Sequence, residues 1–473
     1  MKFNFSRTKI ISTIGPASQS VEKLIQLVNA GMDVVRLNFS HGSYEDHLQV
    51  ITNIKEASNA LGQPIPILMD LCGPKLRIGV VEENTILNEG DRIIITTTEV
   101  IGNKKRISTN YHKLLSDISK GNCILIDDGL IKLKVTEILS DGVECEVIYG
   151  GYLKSKKGIN LPGVNMSIPS ITDKDRSDLD FGLEHGIDFV ALSFVRHHKD
   201  ILELKEILRS KGCHKPIIAK IEKPEAISDI NAIIRESDMV MVARGDLGVE
   251  MNTEEVPLLQ KMIIEKCNYY GRPVITATQM LESMIKSPRP TRAEASDVAN
   301  AVLDGTDALM LSAETSVGSY PVQAVTIMDS IARKIEEKRR PIRDFTAVIK
   351  EEEFNLVDRI SRGACVLAND IKASAILVIT KTGRTARYLS RYRPNTPIIA
   401  FTDNLDVLKQ LNLVWGVKAE RIPGISDTDT TLNDTKNLAK KLGYIESGDT
   451  IVFVAGIPIK ESNIINMIKI DKV

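Results

Sequence analysis

Eight short runs rich in β-branched residues, each followed by a helix-length amphipathic stretch, constrain the fold of this chain more than any other feature. They fall at 9–14, 33–38, 65–70, 188–193, 217–222, 238–243, 273–277 and 308–312. Strands alternating with helices in this way predict a closed (β/α)8 TIM barrel, whose active site belongs at the carboxyl ends of the strands. Polar and charged residues crowd those ends. Arg36 and Asn38 end the second strand, Asp70 the third, Ser193 the fourth, and Lys220 and Glu222 the fifth; Arg244 and Asp246 follow the sixth, and Thr276 and Thr278 the seventh. A surface charge at a loop start explains any one of them, but not all of them on one face.

The 473 residues exceed what a single hydrophobic core serves, and roughly three domains of ~100–200 residues are expected. The barrel pattern occupies 1–71 and 167–340. Between its third and fourth strands, residues 72–166 are rich in Ile, Val and Thr, with turn signals at Asp128-Gly129 and Asp141-Gly142. This reads as an inserted small β-barrel domain with antiparallel strands, placed over the active-site mouth. It is expected to act as a lid, with hinges near Pro74 and Pro162-Gly163; a rigid decoration is the plainer alternative. After the charged run 336–340 a third unit, 341–473, carries strands at 375–380, 397–401, 417–421 and 450–455 between helix-like stretches. It is expected to be a C-terminal α/β sheet domain.

Lys plus Arg total 61 against 62 acidic residues, so a net charge of -1 gives no reason to expect nucleic acid or an anionic membrane as partner. An anionic substrate must be held by local cations. The six cysteines are scattered without paired spacing, which suits reduced thiols in a cytoplasm better than a disulfide frame or a zinc site. The first residues, MKFNFSRTKIIST, lack the apolar region of a signal peptide, and no stretch approaches the ~20 apolar residues that cross a bilayer. A soluble cytoplasmic protein is the expectation.

The most specific chemistry lies in two strand ends. In IIAKIE (217–222), Lys220 and Glu222 are two apart and project to the same side of a strand, one cation beside one oxygen ligand. Such a pair suits a metal ion next to a phosphorylated anion. MVARGDLGVE follows shortly after. Together with VVRLNFSHG, ITATQMLESM and PRPTRAEASDVANAVLDGTDALMLSAET, in that family's order, these runs make the chain resemble the pyruvate kinase family over essentially its whole length.

The resemblance implies transfer of the phosphoryl group of phosphoenolpyruvate to ADP, giving ATP and, after protonation of the enolate, pyruvate. It matches Glu222 and Asp246 to the two carboxylate ligands of Mg2+ (or Mn2+), which keeps its other positions for substrate oxygens and water. It makes Lys220 the lysine that stabilises the transferring phosphoryl group, Arg36 an arginine on the phosphates, and Thr278 the threonine near the enolate carbon. An unperturbed threonine is too weak an acid to act alone, so Thr278 would relay a proton. Gly245 and Asp246 would begin a short helix whose N–H groups take the substrate carboxylate. Asn38, His41, Arg77 and Lys157 are implied near the nucleotide, Lys157 linking ADP binding to lid closure; as a plain alternative it is one of several solvated lysines, and Lys156 could take its part. A homotetramer is implied by the family alone.

One departure concerns potassium. Many members of the family bind K+ through the equivalents of Asn38, Ser40, Asp70 and the carbonyl that follows, here that of Leu71, and carry Thr-Lys after the aspartate and Glu after Gly-Pro. Here those positions are Leu71, Cys72 and Lys75. Lysine at that point goes in the family with activity that does not need K+, a tethered ammonium neutralising the charge the ion would; a vestigial monovalent site stays open. In the third unit Thr380, Lys381, Thr382, Gly383, Arg384 and Thr385 form a strand-to-helix loop suited to a phosphate, or equally an empty helix cap. The corresponding loop binds a sugar-phosphate effector in some family members; Lys460 is the one basic residue nearby in AGIPIKESN. Two other classes compete: a metal-dependent enolate lyase or aldolase on the same barrel, which has no use for a nucleotide lid, and a catalytically inactive sugar-phosphate sensor, which would have lost Lys220, Glu222, Asp246 and Thr278.

Overall fold

The computed structural model describes residues 6–164, 166–338, 356–425, 427–459 and 465–473. The expected domain boundary at 340–341 and Lys460 lie outside them. Eight parallel strands, Lys9–Thr13, Val34–Asn38, Ile67–Asp70, Phe189–Leu192, Ile217–Ile221, Met239–Ala243, Val274–Ala277 and Ala308–Leu311, close into a barrel in which the first pairs with both the second and the eighth. They read as near-continuous apolar runs because both faces are covered. Alternate residues divide between two cores. Ile11, Val34, Leu68, Ala191, Ile218, Met241, Ile275 and Met310 fill the interior, while neighbours such as Ile10, Val35, Met69, Val190 and Ala219 face the surrounding helices.

The crossover helices start and stop on local signals. Ser43 with Asp46, Thr172 with Asp175 and Thr291 with Glu294 form capping boxes at three of them, and those helices end at Gly62, Gly186 and Gly305 in the left-handed conformation.

The insertion has its own apolar core, including Ile93, Ile95, Ile124, Leu133 and Val147. Arg92–Thr96, Arg106–Ser108, Cys123–Ile126, Ile131–Ile138, Val143–Tyr149 and Ile159–Asn160 form a six-stranded sheet. The first hairpin turns at Asp127, Asp128 and Gly129, all with positive φ, as its turn signal requires. Contrary to a purely antiparallel expectation, Arg92–Thr96 and Arg106–Ser108 run parallel. The edges of the sheet are joined by one segment. Arg77 bridges to Gly158 beside one edge strand and Ile78 to Thr109 beside the other. The Ile78 N–H donates to the Lys157 carbonyl and the Gly79 N–H to that of Ser108.

The third unit is a five-stranded sheet in the order Val417–Arg421, Ile398–Thr402, Ala375–Ile379, Thr450–Ala455, Met467–Lys472. The last strand, unforeseen in the sequence, is antiparallel to its neighbour. This unit docks under the barrel: Leu413 belongs to the barrel's interior cluster, Lys409 pairs with Asp188 at 2.9 Å, and the Arg393 guanidinium reaches Asp307, Asn268 and the Gly305 carbonyl. No described helix is long and apolar enough to cross a membrane.

Candidate active site

The two-residue period of the strands builds the site. Two positions above the interior residues Ile11, Val34, Leu68, Ala191 and Ile218 stand Thr13, Arg36, Asp70, Ser193 and Lys220, all turned inward at the carboxyl end. Arg36 directs Nε and Nη2 to Asp70 Oδ2, each at 2.7 Å, and donates from Nη1 to Thr13 Oγ1 at 2.8 Å. Lys220 Nζ lies 3.1 Å from Asp70 Oδ1 and 2.9 Å from Glu222 Oε1, and donates to Ser193 Oγ at 2.7 Å. The other Glu222 oxygen accepts the Phe194 N–H at 2.8 Å. Asp70 therefore holds both cations, one on each oxygen.

Burial by itself would lower the Lys220 pKa, but the Asp70 and Glu222 carboxylates outweigh it and lift the ammonium above its ordinary range. Burial raises Asp70 too, yet Lys220 and Arg36 together bring it below the usual carboxylate range. Glu222 goes the other way: burial raises it, Lys220 opposes, and the charge of Asp246 pushes it further up. Two carboxylates repelling each other beside one buried lysine make a place where a divalent cation relieves strain. Among the described residues no group of three or more His, Cys, Asp or Glu could hold a metal alone. A two-carboxylate set fits Mg2+, which favours few protein ligands and keeps positions for water and substrate oxygens.

Asp246 lies on the short helix Arg244–Glu250, directly after the sixth strand. Arg244 fixes this helix through Asp297 at 2.7 Å and the Thr278 carbonyl at 2.8 Å. The Gly245 N–H donates to Thr278 Oγ1 at 2.7 Å, and a Cβ on Gly245 would lie 3.2 Å from that oxygen, which accounts for the glycine. Thr278 and Gln279 both have positive φ, an uncommon backbone for such residues that holds the hydroxyl against Gly245.

At the mouth, burial and then the cations Lys75, Arg77 and Arg36 hold the His41 imidazole below its usual range, so all three act on one point. Asn38 Oδ1 accepts the Ser40 N–H at 3.2 Å. Leu71 is buried and its carbonyl accepts the Ser193 hydroxyl at 2.7 Å. Lys157 pairs with Asp127 at 2.8 Å within the inserted domain, and Arg77 donates to the Lys156 carbonyl at 3.3 Å. The roles of Thr13 and Ser193 in holding Arg36 and Lys220 escape a reading of motifs; strand parity alone points to them. In the third unit, Thr380, Lys381, Thr382, Arg384 and Thr385 line a cavity of about 380 Å³ with apolar residues such as Ile459, and the Gly383 N–H, at a φ of 73°, donates to Thr380 Oγ1.

Barrel, cationic pocket and acidic pair together define the class: a (β/α)8 enzyme for a small anionic substrate. Residues 5–325 match the model of the pyruvate kinase barrel domain and 358–471 that of the pyruvate kinase alpha/beta domain. The chain is 47% identical to a pyruvate kinase of Geobacillus stearothermophilus and 48% to one of Bacillus licheniformis, in each case over 98% of this chain and 80% of the relative. A crystal structure of a pyruvate kinase from Cryptosporidium parvum superposes with a TM-score of 0.92 at 40% identity, covering 99% of this chain and 96% of that one. The chain belongs to the pyruvate kinase family, whose members pass the phosphoryl group of phosphoenolpyruvate to ADP.

Proposed function

We propose that within this phosphotransfer Arg36 and Lys220 carry the phosphoryl group, Glu222 and Asp246 hold Mg2+ or Mn2+, and Thr278 relays a proton at the enolate carbon. Phosphoryl transfer depends on positioning and charge neutralisation more than on covalent chemistry. The network in which Asp70 and Ser193 orient Arg36 and Lys220 at the strand ends carries this reading. Lys220 stays an ammonium at neutral pH, so it acts as a fixed charge and leaves proton traffic to the hydroxyl of Thr278 and water. The bound divalent ion supplies further charge neutralisation on substrate oxygens. The Arg244–Glu250 helix offers the substrate carboxylate its first N–H groups, that of Gly245 once Thr278 Oγ1 releases it. Asn38, His41, Arg77 and Lys157 serve ADP, and the position of Arg77 in the seam of the inserted domain favours that domain as a lid.

The enzyme works without K+. Both Asp70 oxygens face Arg36 and Lys220, the Leu71 carbonyl accepts from Ser193, and Asn38 Oδ1 from the Ser40 N–H, so three of the four residues matched to the monovalent site already have other partners, which disfavours an ion there. Lys75 adds a tethered positive charge at the mouth. The loop Thr380–Thr385 and its cavity suit a phosphate-bearing effector such as a sugar phosphate or nucleotide. A cytoplasmic homotetramer completes the proposal. Replacing Asp246→Ala tests the metal assignment: the Mg2+ concentration for half-activation and the KM for phosphoenolpyruvate should both rise, by about tenfold or more. An unchanged metal midpoint removes Asp246 from the ligand set.

A further inference from the structure

A second buried charge cluster lies beside the site and takes no part in the roles above. Lys223 Nζ donates to Glu250 Oε1 at 2.6 Å, with side-chain exposures of 5% and 1%, and Asn160 Nδ2 donates to the same oxygen at 2.8 Å. The three residues come from separate places. Asn160 ends the last strand of the inserted domain, just before the Pro162-Gly163 turn that leads back to the barrel. Glu250 ends the helix that presents Gly245 and Asp246, and Lys223 follows Glu222 directly.

The departing connection converges on the same cluster. The Lys223 ammonium lies 5.8 Å from the centre of the Phe194 ring, and Phe194, at a φ of 53°, donates its N–H to Glu222. Gly73, where the chain leaves the barrel, packs so closely on Phe194 that a Cβ would approach the ring to 2.9 Å. Both connections of the inserted domain thus reach residues that touch or adjoin the proposed metal carboxylates. A buried ion pair adds little net stability against its desolvation cost, whereas it fixes the relative placement of the elements that bear it.

We propose that Asn160, Glu250 and Lys223 form a latch through which the hinge angle of the inserted domain sets the positions of Glu222 and of the Arg244–Glu250 helix. They are positioning residues, and the inference rests on the ligand assignment made above. Opening the hinge pulls Asn160 from Glu250. The freed carboxylate then shifts against Lys223, and the acidic pair loses the spacing that a divalent ion needs.

Asn160→Asp tests this with an almost isosteric change that sets a second carboxylate against Glu250. Saturation by ADP and activation by Mg2+ should weaken, kcat/KM for ADP falling about tenfold as one charge-assisted hydrogen bond is lost. Asn160→Gln, which keeps an amide donor for Glu250 Oε1 and adds no charge, should hold activity to within about threefold of the parent. Asn160→Ala, which adds no charge, is measured alongside and replaces the aspartate variant if that does not fold. The latch is overturned if Asn160→Gln is no better than Asn160→Asp, or if the Asp and Ala variants lower the unfolding temperature while leaving ADP saturation and the Mg2+ midpoint unmoved. Failure of the ligand assignment looks different: Asp246→Ala then leaves the metal midpoint in place whatever Asn160 does.

Discussion

Lys220 is held by three partners at once, and each makes its removal more than a kinetic lesion. Lys220→Met should lower kcat by on the order of 10² to 10³, as expected for loss of one preorganised electrostatic donor. Sequence reasoning places the lysine on a strand end where its loss empties no core; the structure adds that Glu222 then stays buried without its counter-ion. The variant should therefore also lose stability, on the order of 3 kcal/mol, and Mg2+ should recover more of it than in the parent enzyme, as thermal melts with and without the ion will show.

The pH dependence of the Asp70–Lys220 pair follows from its two opposite shifts. The lowered Asp70 pKa contributes stability that is complete above its ordinary value of about 3.9 and is lost as pH falls through the lower folded value. The raised Lys220 pKa contributes stability that is complete below about 10.4 and is lost only as pH rises through the higher folded value. Across the neutral range the pair is fully formed.

Lys75 poses the simplest question at this scale. The enzyme should turn over nearly as fast in K+-free buffer as with K+, while Lys75→Glu, a change of two charges at the mouth, should depress activity, with K+ restoring part of it. A parent enzyme inert without K+ overturns the tethered-cation reading. Lys220, Glu222, Arg36 and Asp70 were legible because strand ends and a two-residue spacing announce them. Glu250 was not, since nothing in the sequence links it to Lys223, 27 residues away.

At the scale of elements, the barrel strands could be read because burial on both faces leaves unbroken apolar runs, and their bounds moved by a residue or two. Met467–Lys472 could not. It is an edge strand, mostly exposed, and its sequence MIKIDK mixes apolar with charged residues as a surface turn-flanked stretch also would. The seam of the inserted domain was equally hidden, because Pro74 and Gly79 break the strand pattern where only isolated bridges form. The loop before the Arg384–Arg391 helix gives a prediction of its own. A sugar phosphate should lower the apparent KM for phosphoenolpyruvate, and Lys381→Ala with Thr382→Ala should abolish that response while leaving basal turnover unchanged. Saturation curves unmoved by a panel of sugar phosphates and AMP would remove the site.

At the scale of the whole molecule, the third unit is tied to the barrel by buried charge. Burial holds the Asp188 carboxyl above its usual range against the pull of Lys409, and the same carboxylate accepts the Ile67 N–H at 2.8 Å. Lys409→Met should therefore destabilise the protein, on the order of 3 kcal/mol, by leaving that charge unpaired. Because a raised acid pKa favours the protonated folded state, the deficit should shrink as pH is lowered from 7 towards 5, and Asp188→Asn in the same chain should recover most of it. Denaturant titrations at the two pH values separate these outcomes.

Leu413 gives this attachment a further meaning. The base of the barrel is stoppered by a side chain from the unit proposed to sense an effector, so the floor under Met239 and Met310 is borrowed from outside the catalytic fold. The two units share one apolar interior. Leu413 thereby completes the apolar layer on which the strands bearing Arg36 and Lys220 rest.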